Sequence, residues 1–348
     1  MKDYKNNIIS DKSSIHDALI RLNDLGSDLT LFVTSNTGKL IGSLTDGDIR
    51  RALINYIGIN ESLLLCTNRD CHYLREKDIT IEEIKILENK NIFVVPVVDE
   101  NFTLIKITNI KETYSILPLD AIIMAGGRGE RLRPYTDLVP KPLLKVGGIP
   151  IIQRNVSLLK NYGINNMTIA LKYLGSQIQE YFHDGSSNQI NISYVEEKEA
   201  LGTMGALKLV PNFVHEDILV MNSDLLTNID FEQMYLLYKE SDADMVIAST
   251  SYEVNIPYAV LESKNGNISS FREKPTYTYN SNAGIYMMKK NVVEIIPEGV
   301  FYNATDLIDD MIKLGKKVIH FPILGYWLDI GKHEDFEKAQ KDVERIKF

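Results

Sequence analysis

Residues 120–134 read Asp-Ala-Ile-Ile-Met-Ala-Gly-Gly-Arg-Gly-Glu-Arg-Leu-Arg-Pro. The apolar run at its start predicts a buried β-strand, and a glycine-rich turn follows that strand directly. Glycine N–H groups can approach an anion closely, so a strand that leads into such a turn predicts a phosphate-binding loop. The turn also carries Arg128, Arg131 and Arg133, and several guanidinium groups suit the several charges of a triphosphate.

Two better-known phosphate motifs differ from this turn. The P-loop requires a Gly-Lys pair followed by Ser or Thr, and no Gly-Lys pair in the chain has that neighbour. The dinucleotide fingerprint requires Gly-x-Gly-x-x-Gly and an acidic residue about 20 positions later. The glycine spacing here is different, and Pro140-Lys141-Pro142 follows instead. The remaining alternative to a phosphate-binding loop is a solvated basic loop without a ligand. Lys141, which follows the turn, disfavours that alternative.

Composition excludes several classes of protein. The chain has 348 residues, which predicts two or three domains, and its 44% hydrophobic and 24% charged residues are typical of a folded protein. Its net charge of −9 disfavours nucleic acid and anionic membranes as partners. Two cysteines, Cys66 and Cys71, are too few for a disulfide scaffold or a four-cysteine zinc site. The sequence shows no signal-peptide pattern and no membrane-spanning run, so we expect a cytoplasmic protein.

An imperfect repeat occupies the first part of the chain. Each copy predicts a helix followed by a β-hairpin, with hairpin turns near residues 36–38 and 99–101. The first copy ends in Gly-Ser-Leu-Thr45-Asp-Gly-Asp48, and the segment resembles a tandem pair of CBS domains over residues 1–116, divided at about residue 60. The resemblance implies that Thr45 and Asp48 bind the phosphate and ribose of an adenosine nucleotide. Lys111 replaces the acid in the second copy, and a dimerisation module without ligand is an equal alternative.

The longer run from Met124 to Pro150 resembles the signature of the sugar-1-phosphate nucleotidyltransferases, and the resemblance covers residues 119–348. It implies an α/β fold: a Rossmann-like nucleotide-diphospho-sugar transferase domain with a mixed sheet, preceded by the α+β CBS pair. It also implies that Arg131 holds the β- and γ-phosphates and that Lys141 meets the reacting phosphate. The predicted nucleotide-binding turn consists of Ala125, Gly126, Gly127, Arg128 and Gly129.

Two carboxylates are candidates for a metal pair. Residues 218–222 predict an apolar strand, and Asp224 lies just beyond its carboxyl end. Ligands of open α/β sheets bind at the carboxyl ends of the strands. The family usually has Gly-Asp at this point, whereas this chain has Ser223-Asp224. Asp329 lies in Trp-Leu-Asp-Ile-Gly, which resembles a second family motif. Two carboxylates suit Mg²⁺, which takes few protein ligands together with phosphate oxygens and water.

The sugar side of the predicted site depends on the resemblance. Phe-Arg-Glu273-Lys274-Pro matches a family motif in which the lysine would hold the sugar phosphate and the glutamate would accept from sugar hydroxyls. Asn282-Ala-Gly284 matches the strand that follows, whose glycine lets the sugar approach the backbone. Tyr258 is predicted to lie near the sugar.

The base-binding loop is predicted at Leu201-Gly202-Thr203, which resembles a family motif, with Glu197 five residues before the glycine. A carboxylate only accepts hydrogen bonds, and guanine offers two adjacent donors, so GTP is favoured over UTP and dTTP. Glu196 and Glu199 are alternatives for this role. By resemblance, guanylyltransferases with an N-terminal CBS pair act on glucosamine 1-phosphate in legionaminic-type acid synthesis; mannose or heptose 1-phosphate is the alternative.

The predicted reaction joins a nucleoside triphosphate and a sugar 1-phosphate, with pyrophosphate as the leaving group. We expect a homo-oligomer with Mg²⁺ as cofactor. A hypothesis of another class is an adenosine-nucleotide sensor whose transferase half only binds its ligands. A nicotinamide oxidoreductase is excluded by the missing fingerprint and its missing ribose-binding acid.

Overall fold

The computed structural model describes residues 4–26, 29–76, 79–110, 115–346 and 348. The chain forms two compact units, one comprising Met1–Pro118 with Asn161–Gly163 and the other Leu119–Lys160 with Ile164–Phe348. Each unit is described by itself. Lys111, which replaces the acid in the second repeat, lies outside the described residues.

The first unit contains the predicted repeat. In each copy a short strand pairs in parallel with the first strand of an antiparallel hairpin, giving the sheets β1-β2-β3 and β4-β5-β6. The elements are β1 Ile8–Ser10, α1 Ile15–Leu25, β2 Thr30–Thr34, β3 Leu40–Thr45, α2 Asp46–Ile54, β4 Leu74–Arg75, α3 Ile81–Asn89, β5 Val94–Val98 and β6 Leu104–Asn109. Each copy buries its own apolar cluster, one around Leu31 and Leu44 and the other around Val95 and Val97. The predicted hairpins are confirmed.

The α-helices α1, α2 and α3 each begin with a capping box, in which a Ser or Thr and an acid three residues later satisfy each other's backbone N–H groups. At α2 the pair is Thr45 and Asp48. Asp48 Oδ2 accepts from Thr45 N at 2.8 Å and from its hydroxyl at 2.6 Å, while Asp48 Oδ1 accepts from Arg51 Nη2 at 2.6 Å. Both side chains therefore have a structural role. To bind them, an adenosine nucleotide would have to replace some of these hydrogen bonds with its own.

The second unit is built on a seven-stranded mixed sheet of order β11-β10-β7-β12-β17-β14-β18. Its strands β7, β10, β11 and β12 are parallel, and β17 is antiparallel to both of its neighbours. The mixed α/β architecture predicted from the sequence is confirmed. The elements are β7 Leu119–Ala125, β8 Lys145–Val146, β9 Ile149–Pro150, α4 Ile151–Asn161, β10 Asn166–Leu171, α5 Gly175–Phe182, β11 Asn191–Glu196, α6 Gly202–Gly205, β12 Asp217–Asn222, β13 Leu225–Thr227, α7 Phe231–Glu240, β14 Met245–Asn255, β15 Val260–Lys264, β16 Asn267–Arg272, β17 Thr276–Lys289, α8 Ala304–Lys313, β18 Val318–Pro322, β19 Trp327–Asp329 and α9 His333–Asp342.

Strand β7 lies between β10 and β12, and nearly all its residues are buried. A strand covered on both faces needs a continuous apolar run, which is why Ala-Ile-Ile-Met does not alternate with polar residues. The parallel strands place their carboxyl ends at one edge of the sheet. The glycine turn, Lys172, Glu197 and Ser223 follow β7, β10, β11 and β12 respectively, so they gather at that edge.

A separate two-stranded sheet joins two distant segments of this unit. Strands β13 and β19 pair antiparallel with Leu225 opposite Asp329, and Ile330 N donates to Asp224 O at 3.1 Å. The C-terminal helix α9 packs beside them and against the segment that carries Lys141. Within the described residues, no helix has both the length and the apolar character needed to cross a membrane.

Candidate active site

A cavity of about 310 Å³ opens at the carboxyl edge of the parallel strands. It brings together seven of the predicted site residues, contributed by loops that follow different strands. Its lining consists of Met124, Gly126, Gly127, Lys141, Pro142, Lys172, Glu197, Ala200, Gly202, Thr203, Asn222, Ser223, Asp224 and Phe301.

The glycine turn packs against the catalytic lysine predicted from the sequence. Gly129 has φ +63°, in the left-handed region, and a Cβ placed on it would lie 3.0 Å from both Lys141 Cβ and Thr136 Cγ2. The Thr136 hydroxyl donates to Gly129 O at 2.9 Å and fixes the turn. Glycine is thus required here because the turn closes directly onto Lys141. Arg128, by contrast, is exposed and does not line the cavity.

Lys141 joins the two predicted metal carboxylates. Its Nζ donates to Asp224 Oδ2 and lies 3.8 Å from Asp329 Oδ1. The lysine side chain is only 11% exposed, so its charge is held close to both acids and is poorly screened by solvent. The pairing of β13 with β19 brings Asp329 to this point, because Asp224 immediately precedes one strand and Asp329 ends the other.

Two oxygens of this cluster have no hydrogen-bond donor. Asp224 Oδ1 and Asp329 Oδ1 are buried and accept no hydrogen bond within the part of the chain that the structure describes. Burial raises the pKa of Asp329, and the nearby Asp224 charge raises it further, although Lys141 and Arg131 oppose both effects. Buried carboxylate oxygens without a hydrogen-bond donor are unfavourable, and a bound cation would satisfy them.

The cation that fits this pair is one that needs few protein ligands. No group of three or more His, Cys, Asp or Glu side chains suitable for a metal occurs among the described residues. Asp224 and Asp329 could therefore supply two ligands at most, with substrate and water completing the shell. That donor set suits Mg²⁺ and does not suit zinc.

Arg131 lies close enough to Asp329 for its charge to lower the pKa of that carboxyl. A Cβ on Gly331 would lie 3.2 Å from Arg131 Nη2, so the guanidinium rests on the Gly331 backbone, two residues after Asp329. The phosphate loop and the Trp-Leu-Asp-Ile-Gly segment therefore contact each other. Arg133 instead pairs with Asp137 at 3.3 Å.

Glu197 lines the cavity and follows β11, which is three strand positions from β12, the strand that leads to Asp224. It is buried, and its Oε2 accepts from Leu201 N at 2.9 Å. Burial raises its pKa, while the Leu201 N–H and the charge of Lys172 lower it. Gly202 has φ +72°, and a Cβ there would lie 2.7 Å from Tyr302 O, so the predicted base loop requires glycine to pack closely.

The predicted sugar residues fall into two groups. Gly284 is buried with φ +72°; its N–H donates to Asn282 Oδ1 at 2.9 Å, and a Cβ on it would lie 2.6 Å from Nδ2 of Asn222, which lines the cavity. Tyr258, Glu273 and Lys274 are all exposed, on or beside the β15–β16 hairpin. The structure does not place these three among the cavity-lining residues.

Several cavity residues were not singled out from the sequence. Lys172 directly follows β10, and Phe301 lies in the loop before α8. The rule that ligands gather at the carboxyl ends of parallel strands would have found Lys172. No sequence pattern predicts that Phe301 lines the cavity, because its position depends on the backbone hydrogen bonds between Tyr302 and the Gly202 loop.

The second unit has a mixed α/β fold with a cavity at the carboxyl edge of its parallel strands. The family model described as nucleotidyl transferase matches residues 120–346, and the CBS domain model matches residues 5–55. The chain therefore belongs to the nucleotidyl transferase family and carries a CBS domain at its N-terminal side.

Named relatives agree with this assignment. The chain is 33% identical over 230 residues to the bifunctional protein GlmU of Methanocaldococcus jannaschii, covering 64% of this chain and 54% of that protein. It is 31% identical over 229 residues to a mannose-1-phosphate guanyltransferase of Yarrowia lipolytica, covering 63% and 62%. The chain thus spans less than two thirds of the length of these relatives.

Among solved structures, HddC from Yersinia pseudotuberculosis is similar. It aligns with a TM-score of 0.51 and 25% identity over 64% of this chain and 99% of HddC. The aligned share is close to that of the second unit, so the likeness concerns the transferase domain.

Proposed function

We propose that the chain transfers GMP from GTP to a sugar 1-phosphate and releases pyrophosphate. The observation that carries this proposal is Lys141, held between Asp224 and Asp329 next to the glycine turn. In this cluster the Lys141 ammonium could bind the reacting phosphate, and two carboxylate oxygens have no hydrogen-bond donor among the described residues. Membership of the nucleotidyl transferase family supports the same reaction class.

The order of side chains along the sheet edge supports one pose of the nucleotide. Glu197 directly follows β11. Asp224 is the second residue after β12, which lies three strand positions away. Three strand spacings amount to about 14 Å. The base would lie at the Glu197 end, and the phosphates would extend across Gly126 and Gly127 to Lys141.

In this pose an oxygen of the sugar phosphate attacks the α-phosphorus of GTP in line. The new oxygen–phosphorus bond forms as the bond from the α-phosphorus to the bridging oxygen breaks, and pyrophosphate leaves with that electron pair. Lys141 stabilises the charge that develops on the α-phosphoryl oxygens, and Arg131 neutralises the departing pyrophosphate. Positioning and charge stabilisation are sufficient, so no covalent enzyme intermediate is required.

Asp224 and Asp329 would hold Mg²⁺, with oxygens that no donor in the described residues satisfies. When bound, the ion would offset the repulsion between the two anionic substrates and between the two carboxylates. The role of Lys141 in the absence of substrate is to keep the two acids close together.

The preference for GTP is supported by the acceptor chemistry of Glu197. One carboxylate oxygen is held by Leu201 N–H, and the other lies 2.7 Å from where a Gly126 Cβ would be, next to the cavity. Guanine presents N1–H and N2–H₂ side by side to such an acceptor, whereas uracil presents one N–H between two carbonyls. The relative named mannose-1-phosphate guanyltransferase supports guanylyl transfer. Glucosamine 1-phosphate is the favoured acceptor, with mannose and heptose 1-phosphates as alternatives.

The experiment measures pyrophosphate release with Mg²⁺, each NTP separately, and a panel containing glucosamine, mannose and heptose 1-phosphates. We expect turnover with GTP and one acceptor. Turnover with UTP or dTTP alone would refute the guanine assignment and leave the reaction class in place. No turnover with any pair, by protein that still binds GTP in calorimetry, would refute the transferase proposal and favour a binding protein.

The first unit is proposed to bind an adenosine nucleotide at Thr45 and Asp48. Asp48→Asn should weaken the binding of AMP or ATP in calorimetry, because an amide is a poorer acceptor for ribose hydroxyls than a carboxylate. Asp17→Asn is the matched control, since Asp17 has the same capping-box position at α1. Equal affinity in the wild type and both variants would leave only the capping role for Asp48.

A further inference from the structure

Lys172 lies between the base end and the phosphate end of the cavity. It directly follows β10, whose last residue pairs with Ala125 on one side and Glu196 on the other. Lys172 therefore has the Gly126 turn and Glu197 as its neighbours along the sheet edge. A Cβ placed on Gly126 would lie 3.3 Å from Lys172 Cβ and 2.7 Å from Glu197 Oε1, which shows how closely the three residues gather.

Among the described residues, no hydrogen bond or ion pair accounts for the position of the Lys172 ammonium. It is half-buried and lines the cavity, yet it forms no hydrogen bond and no ion pair within the described ranges. Lys141, in contrast, is tied to the two aspartates. The charge of Lys172 does reach Glu197, since it lowers the pKa that burial raises. A free donor and a nearly free acceptor thus stand side by side.

We propose that Lys172 donates to O6 of guanine while Glu197 accepts from N1–H and N2–H₂, so that the two residues together determine base specificity. This inference rests on the proposed function. The guanine edge presents an acceptor followed by two donors, and an ammonium beside a carboxylate presents the complementary order. Adenine places an amino group where the ammonium would donate. Uracil places its N–H between two acceptors, so one of them would face the carboxylate.

The test uses equilibrium binding, which needs no knowledge of the sugar. The Mg²⁺ complexes of GTP and UTP are titrated into the wild type, Lys172→Met and Lys172→Arg by calorimetry. A hydrogen bond from a charged donor predicts about a 10- to 100-fold loss of GTP affinity in Lys172→Met. UTP affinity should stay nearly unchanged, and Lys172→Arg should restore part of the GTP preference. Lys208→Met is the matched control, because Lys208 is a half-buried lysine that does not line the cavity.

Three results would overturn the inference in different ways. If the wild type prefers GTP and Lys172→Met weakens GTP and UTP equally, Lys172 serves the phosphates and does not read the base. If Lys172→Met leaves both affinities unchanged, it has no role in nucleotide binding. A wild type that does not prefer GTP refutes the guanine assignment itself, and this failure is visible without any variant. Thermal melting of each variant separates these outcomes from misfolding.

Discussion

Replacing Asp224 with asparagine should abolish turnover with little effect on folding. The substitution keeps the side-chain volume and an oxygen that can accept from Lys141 Nζ, but it removes one of the two unsatisfied carboxylate oxygens. Losing one preorganised electrostatic contact at a reacting centre typically costs about 100- to 1000-fold in rate, which corresponds to about 3–4 kcal/mol. Because Asp224 would also be a metal ligand, we expect a loss at the upper end of that range or beyond.

The stability change should be much smaller, because opposing effects cancel. Asp224→Asn loses the attraction to Lys141, yet it also removes the repulsion of Asp329 and the cost of burying a charge. Lys141 keeps Asp329 at 3.8 Å as a partner. We therefore expect a loss of about 1 kcal/mol in the free energy of unfolding, which lowers Tm by about 2–4 °C in a domain of this size.

Asp217→Asn is the matched control, because Asp217 begins the same strand β12 that leads to Asp224. Asp217 is 5% exposed and accepts from Tyr238 Oη at 2.8 Å and Lys239 Nζ at 2.7 Å, far from the carboxyl edge. Asparagine there would weaken two bonds to a buried group, so about 2–3 kcal/mol of stability should be lost with turnover retained.

The assay pairs pyrophosphate release with thermal melting for both variants. The expected result is a cross-over: Asp224→Asn is inactive and stable, and Asp217→Asn is active and less stable. Asp224→Asn with turnover within tenfold of the wild type would refute the reasoning. An activity loss that merely follows the Tm loss in both variants would refute it as well.

Three further predictions concern other parts of the second unit. Gly129→Ala should lose about 1–3 kcal/mol in the free energy of unfolding, because φ is +63° and the new Cβ meets two side chains at 3.0 Å. Gly127→Ala is the control: its Cβ would meet nothing within 4 Å, so the same urea titration should show no change in stability. Burial raises the pKa of Glu197 above its ordinary value of 4.5, so its stabilising contribution is complete below pH 4.5 and is lost as the pH rises through the folded pKa. The stability of Glu197→Gln relative to the wild type should therefore increase as the pH rises. Equal slopes of unfolding free energy against pH in the two proteins would contradict this. Gln340→Ala removes an acceptor for Gly147 N–H and a donor to a backbone carbonyl, so unfolding should become easier by about 1 kcal/mol, and an unchanged Tm would show that water replaces both bonds.

Much of the fold could be predicted from local pattern. The continuous apolar run of β7, the hairpin turns of the first unit and the order of strands and helices all follow from residues close together in the chain. The resemblance implied only a mixed sheet. The order of its seven strands could not be predicted, because the position of β17 between β12 and β14 depends on contacts that no local pattern encodes.

Motifs that follow strands could be brought to one edge of the sheet by sequence alone. Gly126, Glu197 and Asp224 follow β7, β11 and β12, and they line one cavity together with Lys141; their roles stay predictions. Lys172 escaped notice because a lone lysine after a strand is common, and only strand register shows what lies beside it. The exposed positions of Glu273 and Lys274 could not be foreseen either, since the path of a long hairpin depends on what it packs against.

The short pairing of β13 with β19 makes the juxtaposition of Asp224 and Asp329 depend on a small local structure. Each strand has three residues, and their sheet is separate from the seven-stranded one. Such a pair can open without unfolding of the whole domain, and opening would separate Asp224 from Asp329. The amide of Ile330, bonded to Asp224 O, would then exchange its hydrogen faster than the amides of β7. Under the proposed function, only molecules in which the two acids lie together could react, and a ligand that bridges the acids would favour the closed pair.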